Sequence, residues 1–185
     1  IRRPPRSTLF PYTTLFRSAN MKVAIIMGSK SDYPVVEKAE KMLDNFGVEY
    51  ETRIISAHRT PKQAEEFART AEENGFGAII AAAGKAAHLA GVLAATTPLP
   101  VIGIPMKSST MDGLDSLLSV VQMPKGVPVA TVAIDGAENA AILAVQILSA
   151  ADEKLRQAIK DFKKKQEEDI IALDREFNEE RKNRR

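Results

Sequence analysis

The chain is 185 residues long and 44% hydrophobic, the size and composition of one globular domain; it has no cysteine, which excludes disulfides, thiolate catalysis and cysteine-built metal sites, and its two histidines are too few for a histidine-rich metal cage. The formal net charge of +2 is set by residues 1–20: they hold four of the 26 basic side chains (Arg2, Arg3, Arg6 and Arg17) and no acid, so the remainder carries 22 basic groups against 24 acidic ones. A near-neutral body gives no reason to expect nucleic acid as a partner, and no run approaches the roughly 18 apolar residues that a membrane span needs, so a soluble, cytoplasmic protein is expected.

The first segment, IRRPPRSTLFPYTTLFRS, has a basic start but no continuous apolar stretch, which makes it a poor secretory signal. It resembles translated sequencing-adaptor sequence, with a native start expected at Met21; the competing reading is a transit peptide, since the segment is rich in Arg, Ser and Thr and lacks acids. Residues 1–20 are therefore set apart as a leader. From Met21 onward, short apolar runs alternate with amphipathic stretches. Lys22–Met27 (KVAIIM) reads as a strand covered on both faces, and Gly28-Ser29-Lys30-Ser31-Asp32 as a loop ending in N-cap residues. The helix that follows spaces Val35, Val36, Ala39, Met42, Leu43 and Phe46 by three and four, and stops at Gly47.

Val48–Ile55 supplies a second strand, and Thr60-Pro61 starts the next helix as N-cap and N1 proline; that helix buries Ala64, Phe67, Ala68 and Ala71 and ends near Gly75. Gly77–Ala82 is a third strand, running into Gly84-Lys85-Ala86-Ala87-His88 and a short alanine-rich helix. Val101–Ile104 is the fourth strand; a polar loop, Met106–Gly113, and a helix over Leu114–Val121 follow, with a fifth strand at Val129–Ile134. The helix from about Glu138 to Ala150 is apolar nearly all round, which suggests burial, including burial between subunits. Five such units imply a doubly wound parallel sheet over residues 21–150. Residues 151–185 are a charged helical extension with a sparse apolar stripe (Leu155, Ile159, Phe162, Ile170, Ile171, Leu173, Phe177), fraying from Asn178 onward.

In an open α/β sheet, ligands bind beyond the carboxyl ends of the strands, and three strand ends here deliver polar groups. The Ser29 to Asp32 loop precedes a helix amino terminus, where N–H groups and hydroxyls can hold a phosphate; taken alone it is a plain capped turn, and it lacks both the P-loop and the G-x-G-x-x-G spacing. Ser56-Ala57-His58-Arg59 brings a fixed cation suited to phosphate and an imidazole able to exchange a proton near neutral pH. Gly84-Lys85-Ala86-Ala87-His88 lets a ligand approach backbone, with His88 either orienting the loop or touching substrate. G-x-S-x-G is absent, and Asp32 is the one acid in these three loops, which argues against nucleophile-elbow and paired-carboxylate chemistry.

Taken together, Met27–Asp32, Ser56–Pro61, Ala83–Leu89, Asp115-Ser116-Leu117 and Gln122-Met123-Pro124 resemble the class I N5-carboxyaminoimidazole ribonucleotide mutases, the catalytic subunit of phosphoribosylaminoimidazole carboxylase in bacterial purine synthesis. The similarity runs from about Met21 to the charged tail. It implies a three-layer flavodoxin-like (Rossmann-like) fold, a homo-octamer, and an isomerase that moves a carboxylate from N5 to C4 of a small ribonucleotide with no metal, ATP or organic cofactor. Carried over, Ser29, Ser31 and Arg59 would bind the 5′-phosphate, Asp32 the ribose hydroxyls, and His58 would transfer the proton. Ser56 and the loop of Gly84, Lys85, Ala86, His88 and Leu89 would line the base and carboxylate site, and Met106–Gly113 part of the wall that keeps water out. Lys85 departs from the second glycine of many members, which leaves that position's role open.

Three other readings share the architecture. A non-catalytic phosphoribosyl-binding module would keep Ser29, Asp32 and Arg59 without needing His58. The animal-type carboxylase, which uses CO₂ directly, differs in the third loop. A flavin or receiver-type protein predicts bound colour or an acidic cluster, where the first strand here ends in Gly-Ser.

Overall fold

The computed structural model describes residues 21–184, and the expectations for residues 1–20 and for the last residue, 185, lie outside them. Five parallel strands, β1 (Lys22–Met27), β2 (Tyr50–Ile54), β3 (Phe76–Gly84), β4 (Val101–Met106) and β5 (Ala130–Thr131), lie in the order β2-β1-β3-β4-β5. The helices are α1 (Tyr33–Asn45), α2 (Pro61–Thr70), α3 (Leu89–Ala94), α4 (Leu114–Val121), α5 (Ala137–Leu148) and α6 (Glu153–Asn183). No helix among the described residues is long and apolar enough to cross a membrane.

Why β1 is apolar from Val23 to Met27 is visible in its neighbours. Val23, Ile25 and Met27 enter a core with Val36, Ala39 and Leu43 of α1 and Ala140, Ala141 and Ala144 of α5. Ala24 and Ile26 point the other way, into a core with Phe67 of α2, Leu93 of α3 and Val120 of α4. Successive side chains of a strand face opposite sides, so a strand covered on both sides must be apolar at every position. The result is a sheet between α1 and α5 on one face and α2, α3 and α4 on the other.

Small residues in the sheet set how closely the helices approach. A Cβ on Gly103 of β4 would overlap Cγ1 of buried Val120 and stand 3.0 Å from Cγ1 of Val129. Val120 is β-branched and cannot swing away cheaply. Gly103→Ala is therefore expected to destabilise the fold by about 1–3 kcal/mol, read as a lower urea midpoint at unchanged slope.

Several elements differ from the sequence-based expectation. The strand expected over Val129–Ile134 shrinks to Ala130–Thr131, because the chain leaves the ladder for a turn at Ile134–Asp135, where Asp135 N–H donates to Pro105 O at 2.9 Å. The second strand begins at Tyr50 instead of Val48, and the third extends to Gly84. Thr60 precedes Pro61 as expected but makes no side-chain cap: its hydroxyl accepts from Ser56 N–H and donates to Ser56 O, both at 3.0 Å, and so closes the loop instead. Helix α5 finds much of its burial inside the chain, against α1 and the sheet, while Ile142, Leu143 and Ile147 are half-buried.

The expected fraying from Asn178 is not what the structure has: α6 runs to Asn183. Asp152 caps its first turn by accepting from Lys154 and Leu155 N–H, and Asn178 donates to Asp174 O one turn back. Arg156 donates to the last carbonyls of the α5 segment, Ser149 O and Ala150 O, and Phe162 meets Phe46 with ring centroids 5.3 Å apart. Beyond this contact the stripe of Ile170, Ile171, Leu173 and Phe177 is exposed.

Candidate active site

The strand order reverses between β1 and β3, and the loops at the carboxyl ends of β1, β2, β3 and β4 surround a cavity of about 600 Å³, a size suited to a small-molecule ligand. All the residues expected from the sequence line it: Ser29, Ser31 and Asp32 from the first loop, Ser56, His58 and Arg59 from the second, and Gly84, Lys85, Ala86, His88 and Leu89 from the third.

After β1, Ser29 caps a short 3-10 turn over Lys30–Asp32, its Oγ accepting from Ser31 N–H at 3.3 Å and Ser31 Oγ at 2.9 Å. Asp32 starts α1 without capping it and lines the cavity, with Ser31 Oγ 3.4 Å from its carboxylate. Partial burial raises the Asp32 carboxyl above its ordinary value; a Ser29 backbone hydrogen bond and the Ser31 hydroxyl pull it down, and the charge of Asp135 adds to the rise.

Arg59 ties the second loop to the first. Its Nη2 donates to Gly28 O at 2.8 Å, and its Nε and backbone N–H donate to Ser56 Oγ at 3.3 and 3.2 Å. The guanidinium is thus held in place while Nη1 makes no hydrogen bond among the described residues. A fixed fork with spare donors is what bidentate oxyanion recognition requires.

From the third loop, His88 Nδ1 lies 2.9 Å from His58 Nε2, with the rings nearly perpendicular at 80°. His88 N–H donates to Ala86 O, which tightens the loop before α3. Lys85 adopts a left-handed backbone with φ of 55°, a conformation that suits glycine and strains a lysine by about 1 kcal/mol or more. Gly84 lies close to β4: a Cβ there would stand 3.4 Å from Met106 Cβ.

The fourth wall is Met106 to Ser109, within the loop expected to help exclude water. Its scaffold was not foreseen. Buried Ser116 donates to Met106 O at 2.6 Å, Ser108 donates to the Asp115 carboxylate at 2.8 and 3.0 Å, and Asp135 Oδ1 accepts from Lys107 N–H at 2.9 Å. The Lys107 ammonium pairs with Asp112 at 2.8 Å, and that hydrogen bond and charge raise its pKa. An aspartate before glycine, as at Asp112 and Asp135, signals a turn in sequence but not which distant loop it holds. Arg59 and Lys85 around the cavity, against Asp32 and with Lys107 already paired to Asp112, favour an anionic ligand.

Comparison with known proteins gives one consistent answer. The AIR carboxylase family model matches residues 22–169. A Pyrococcus abyssi protein named N5-carboxyaminoimidazole ribonucleotide mutase is 61% identical over 142 residues, covering 77% of this chain and 82% of that protein. A Vibrio vulnificus protein of the same name is 55% identical over 154 residues, covering 82% and 96%. Among solved structures, Treponema denticola PurE superposes with a TM-score of 0.76 at 31% identity, covering 82% of this chain and 95% of that one. With the family model spanning both the parallel sheet and the loops that form the cavity, this chain belongs to the AIR carboxylase family.

Proposed function

We propose that this chain is an N5-carboxyaminoimidazole ribonucleotide mutase, an isomerase that moves the carboxylate of its substrate from N5 to C4 in purine biosynthesis. The observation that carries this reading is the meeting of His58 with a preset arginine fork and a pair of serine hydroxyls in one cavity, in a chain with six relatives of that name at 52–61% identity. Ser29, Ser31 and Nη1 of Arg59 take the 5′-phosphate, which is the strongest anion in the substrate and finds a fixed cation there. Asp32, acceptor-only when ionised, takes the ribose hydroxyls. Ser56 and the Gly84–Leu89 loop take the base and its carboxylate.

The chemistry then needs one proton-transfer group. The N5–carboxyl bond breaks, its electron pair stays on N5, and CO₂ is released into the site; N5 gains a proton. The electron-rich C4 attacks CO₂ and forms the new C–C bond, and loss of the C4 proton restores the aromatic ring. His58 gives the first proton and takes the second, so it ends the cycle as it began. The Met106–Ser109 wall keeps CO₂ from escaping and water from entering.

Residues 21–150 are read as the catalytic unit and 151–185 as its helical extension, acting in the cytoplasm. A homo-octamer is the proposed assembly. Half-exposed Met111, Leu114, Leu118 and Val121 around α4, with Ile170, Leu173 and Phe177 on α6, support association, because a monomer gains nothing from leaving such side chains in water. Conversion of enzymatically made N5-carboxyaminoimidazole ribonucleotide to the C4-carboxylated product without ATP tests the reading; a rate no faster than the substrate's spontaneous decay counts against it.

The raised pKa of Asp32 has a separable consequence. An acid whose folded pKa lies above its unfolded value binds its proton more tightly in the fold, so stability falls as pH rises through the window above 3.8. Asp32→Asn is expected to raise the thermal midpoint of the empty protein at neutral pH while raising KM about 10-fold, through loss of a charge-assisted contact to substrate. Thermal unfolding and initial rates on the same sample check both signs.

A further inference from the structure

We propose that His88 is a positioning residue that fixes the tautomer of His58, making Nδ1 of His58 the nitrogen that gives and takes the substrate proton. The proposal rests on the reading of His58 as the acid–base group and goes beyond it by naming the atom and what holds it.

The argument starts from the 2.9 Å contact between His58 Nε2 and His88 Nδ1. Two ring nitrogens at this distance form a hydrogen bond only if one carries the proton and the other a lone pair. Suppose His88 Nδ1 carried it. His58 Nε2 would then be the acceptor, the neutral His58 ring would hold its own proton on Nδ1, and no lone pair would remain for the substrate. In the opposite arrangement His58 Nε2–H donates to His88 Nδ1, and the lone pair of His58 Nδ1 is free to act as base.

This second arrangement also survives the whole cycle. When His58 Nδ1 takes the C4 proton, the ring becomes an imidazolium with both nitrogens protonated, and the Nε2–H still donates to the same acceptor. When Nδ1 releases its proton to N5, the ring returns to the tautomer that the bond selects. One hydrogen bond therefore serves both halves of the reaction without rearranging, as expected for an orienting partner of a catalytic imidazole. The loop geometry supports His88 in this part: His88 N–H donates to Ala86 O at 2.9 Å, its carbonyl accepts from Val92 N–H at 3.0 Å, and flanking Ala87 and Leu89 are buried. The ring is thus carried by a loop anchored on either side.

The sequence makes the test clean, because these are the chain's two histidines. Asparagine places an amide oxygen near the position of imidazole Nδ1, whereas phenylalanine keeps a ring of similar size without any acceptor. His88→Phe is expected to lower kcat about 10–100-fold with little change in KM, the usual cost of losing an orienting partner. His88→Asn is expected to restore most of that loss. A residue that merely filled space would give the reverse ranking, with phenylalanine the better replacement, and that result overturns the proposal.

A second readout needs no turnover. Selective ¹⁵N-histidine labelling reports which nitrogen of neutral His58 carries the proton. Wild type and His88→Asn are expected to show the Nε2–H tautomer, and His88→Phe a mixture of the two. Finding wild-type His58 protonated on Nδ1 in its neutral form overturns the proposal even if every variant misfolds. Lack of mutase activity with the expected tautomer present would instead count against the function proposed above and leave the positioning role standing.

Discussion

Replacing His58 with asparagine is expected to lower kcat about 10³-fold while the protein still folds and still binds the substrate's phosphate, since general acid–base groups typically contribute 10²–10⁴-fold. His58 sits on an exposed loop and is held by the contact to His88 and by the closure of its loop through Thr60. Asparagine can occupy that loop without adding strain, so the fold should report little. What is lost, on the proposed assignment, is the group that hands a proton to N5 and receives one from C4; among the described residues the other imidazole of the cavity, His88, meets it through Nδ1. Single-turnover kinetics with a competition assay for substrate binding separate the two effects. A non-catalytic binding module would differ in showing no turnover in wild type, with binding likewise unchanged in the variant.

Arg59→Ala is expected to raise KM about 10²-fold with a smaller effect on kcat. On the proposed reading the guanidinium gives the phosphate charge-assisted hydrogen bonds, each worth about 1.5–3 kcal/mol, and it also cross-links two loops through Gly28 O and Ser56 Oγ. Losing it removes the anchor and lets the Ser29–Asp32 turn move relative to His58. Arg59→Lys should recover only part of the affinity, because an ammonium keeps the charge but cannot reach Gly28 O, Ser56 Oγ and a phosphate oxygen from one rigid plane. A phosphate-free analogue that binds wild type and Arg59→Ala equally well would locate the loss at the phosphate.

How much of this was legible in the sequence follows from the range of the forces involved. β1 could be read because a strand covered on both faces needs an unbroken apolar run, and α1 because its buried Val36, Ala39 and Leu43 keep helical spacing. β5 is shorter than its composition suggests, because Val129–Ile134 is strand-like throughout while its pairing is decided by where Asp135 turns to meet Pro105. Local preference makes Thr60 a cap, but its hydroxyl meets the nearer demand of Ser56. The reach of α6 depends on capping by Asp152 and docking of Phe162 on Phe46, and only the first of these is local.

The cavity itself was legible for a topological reason. Parallel strands put their carboxyl ends on one edge, so three polar loops that each follow a strand must converge there whatever their separation in sequence. What could not be read is the scaffolding: Asp115 on Ser108, Ser116 on Met106 O, Asp135 on Lys107 N–H, and the pairing of His58 with His88 across thirty residues. These contacts join side chains to particular distant loops, and no local pattern names the partner. Nor did sequence alone explain Lys85, whose left-handed backbone shows why glycine suits that position and what strain a lysine there carries.

The central claim is that the carboxylate moves within one substrate molecule in a closed site, and an isotope experiment addresses it directly. N5-carboxyaminoimidazole ribonucleotide carrying ¹³C in its carboxylate is turned over in an excess of unlabelled bicarbonate, and the C4-carboxylated product is analysed by mass and by ¹³C resonance. The account predicts that the label is retained at the C4 carboxylate in most product molecules. Unlabelled product, with the ¹³C recovered in the bicarbonate pool, would contradict it and describe an enzyme that takes CO₂ from solution.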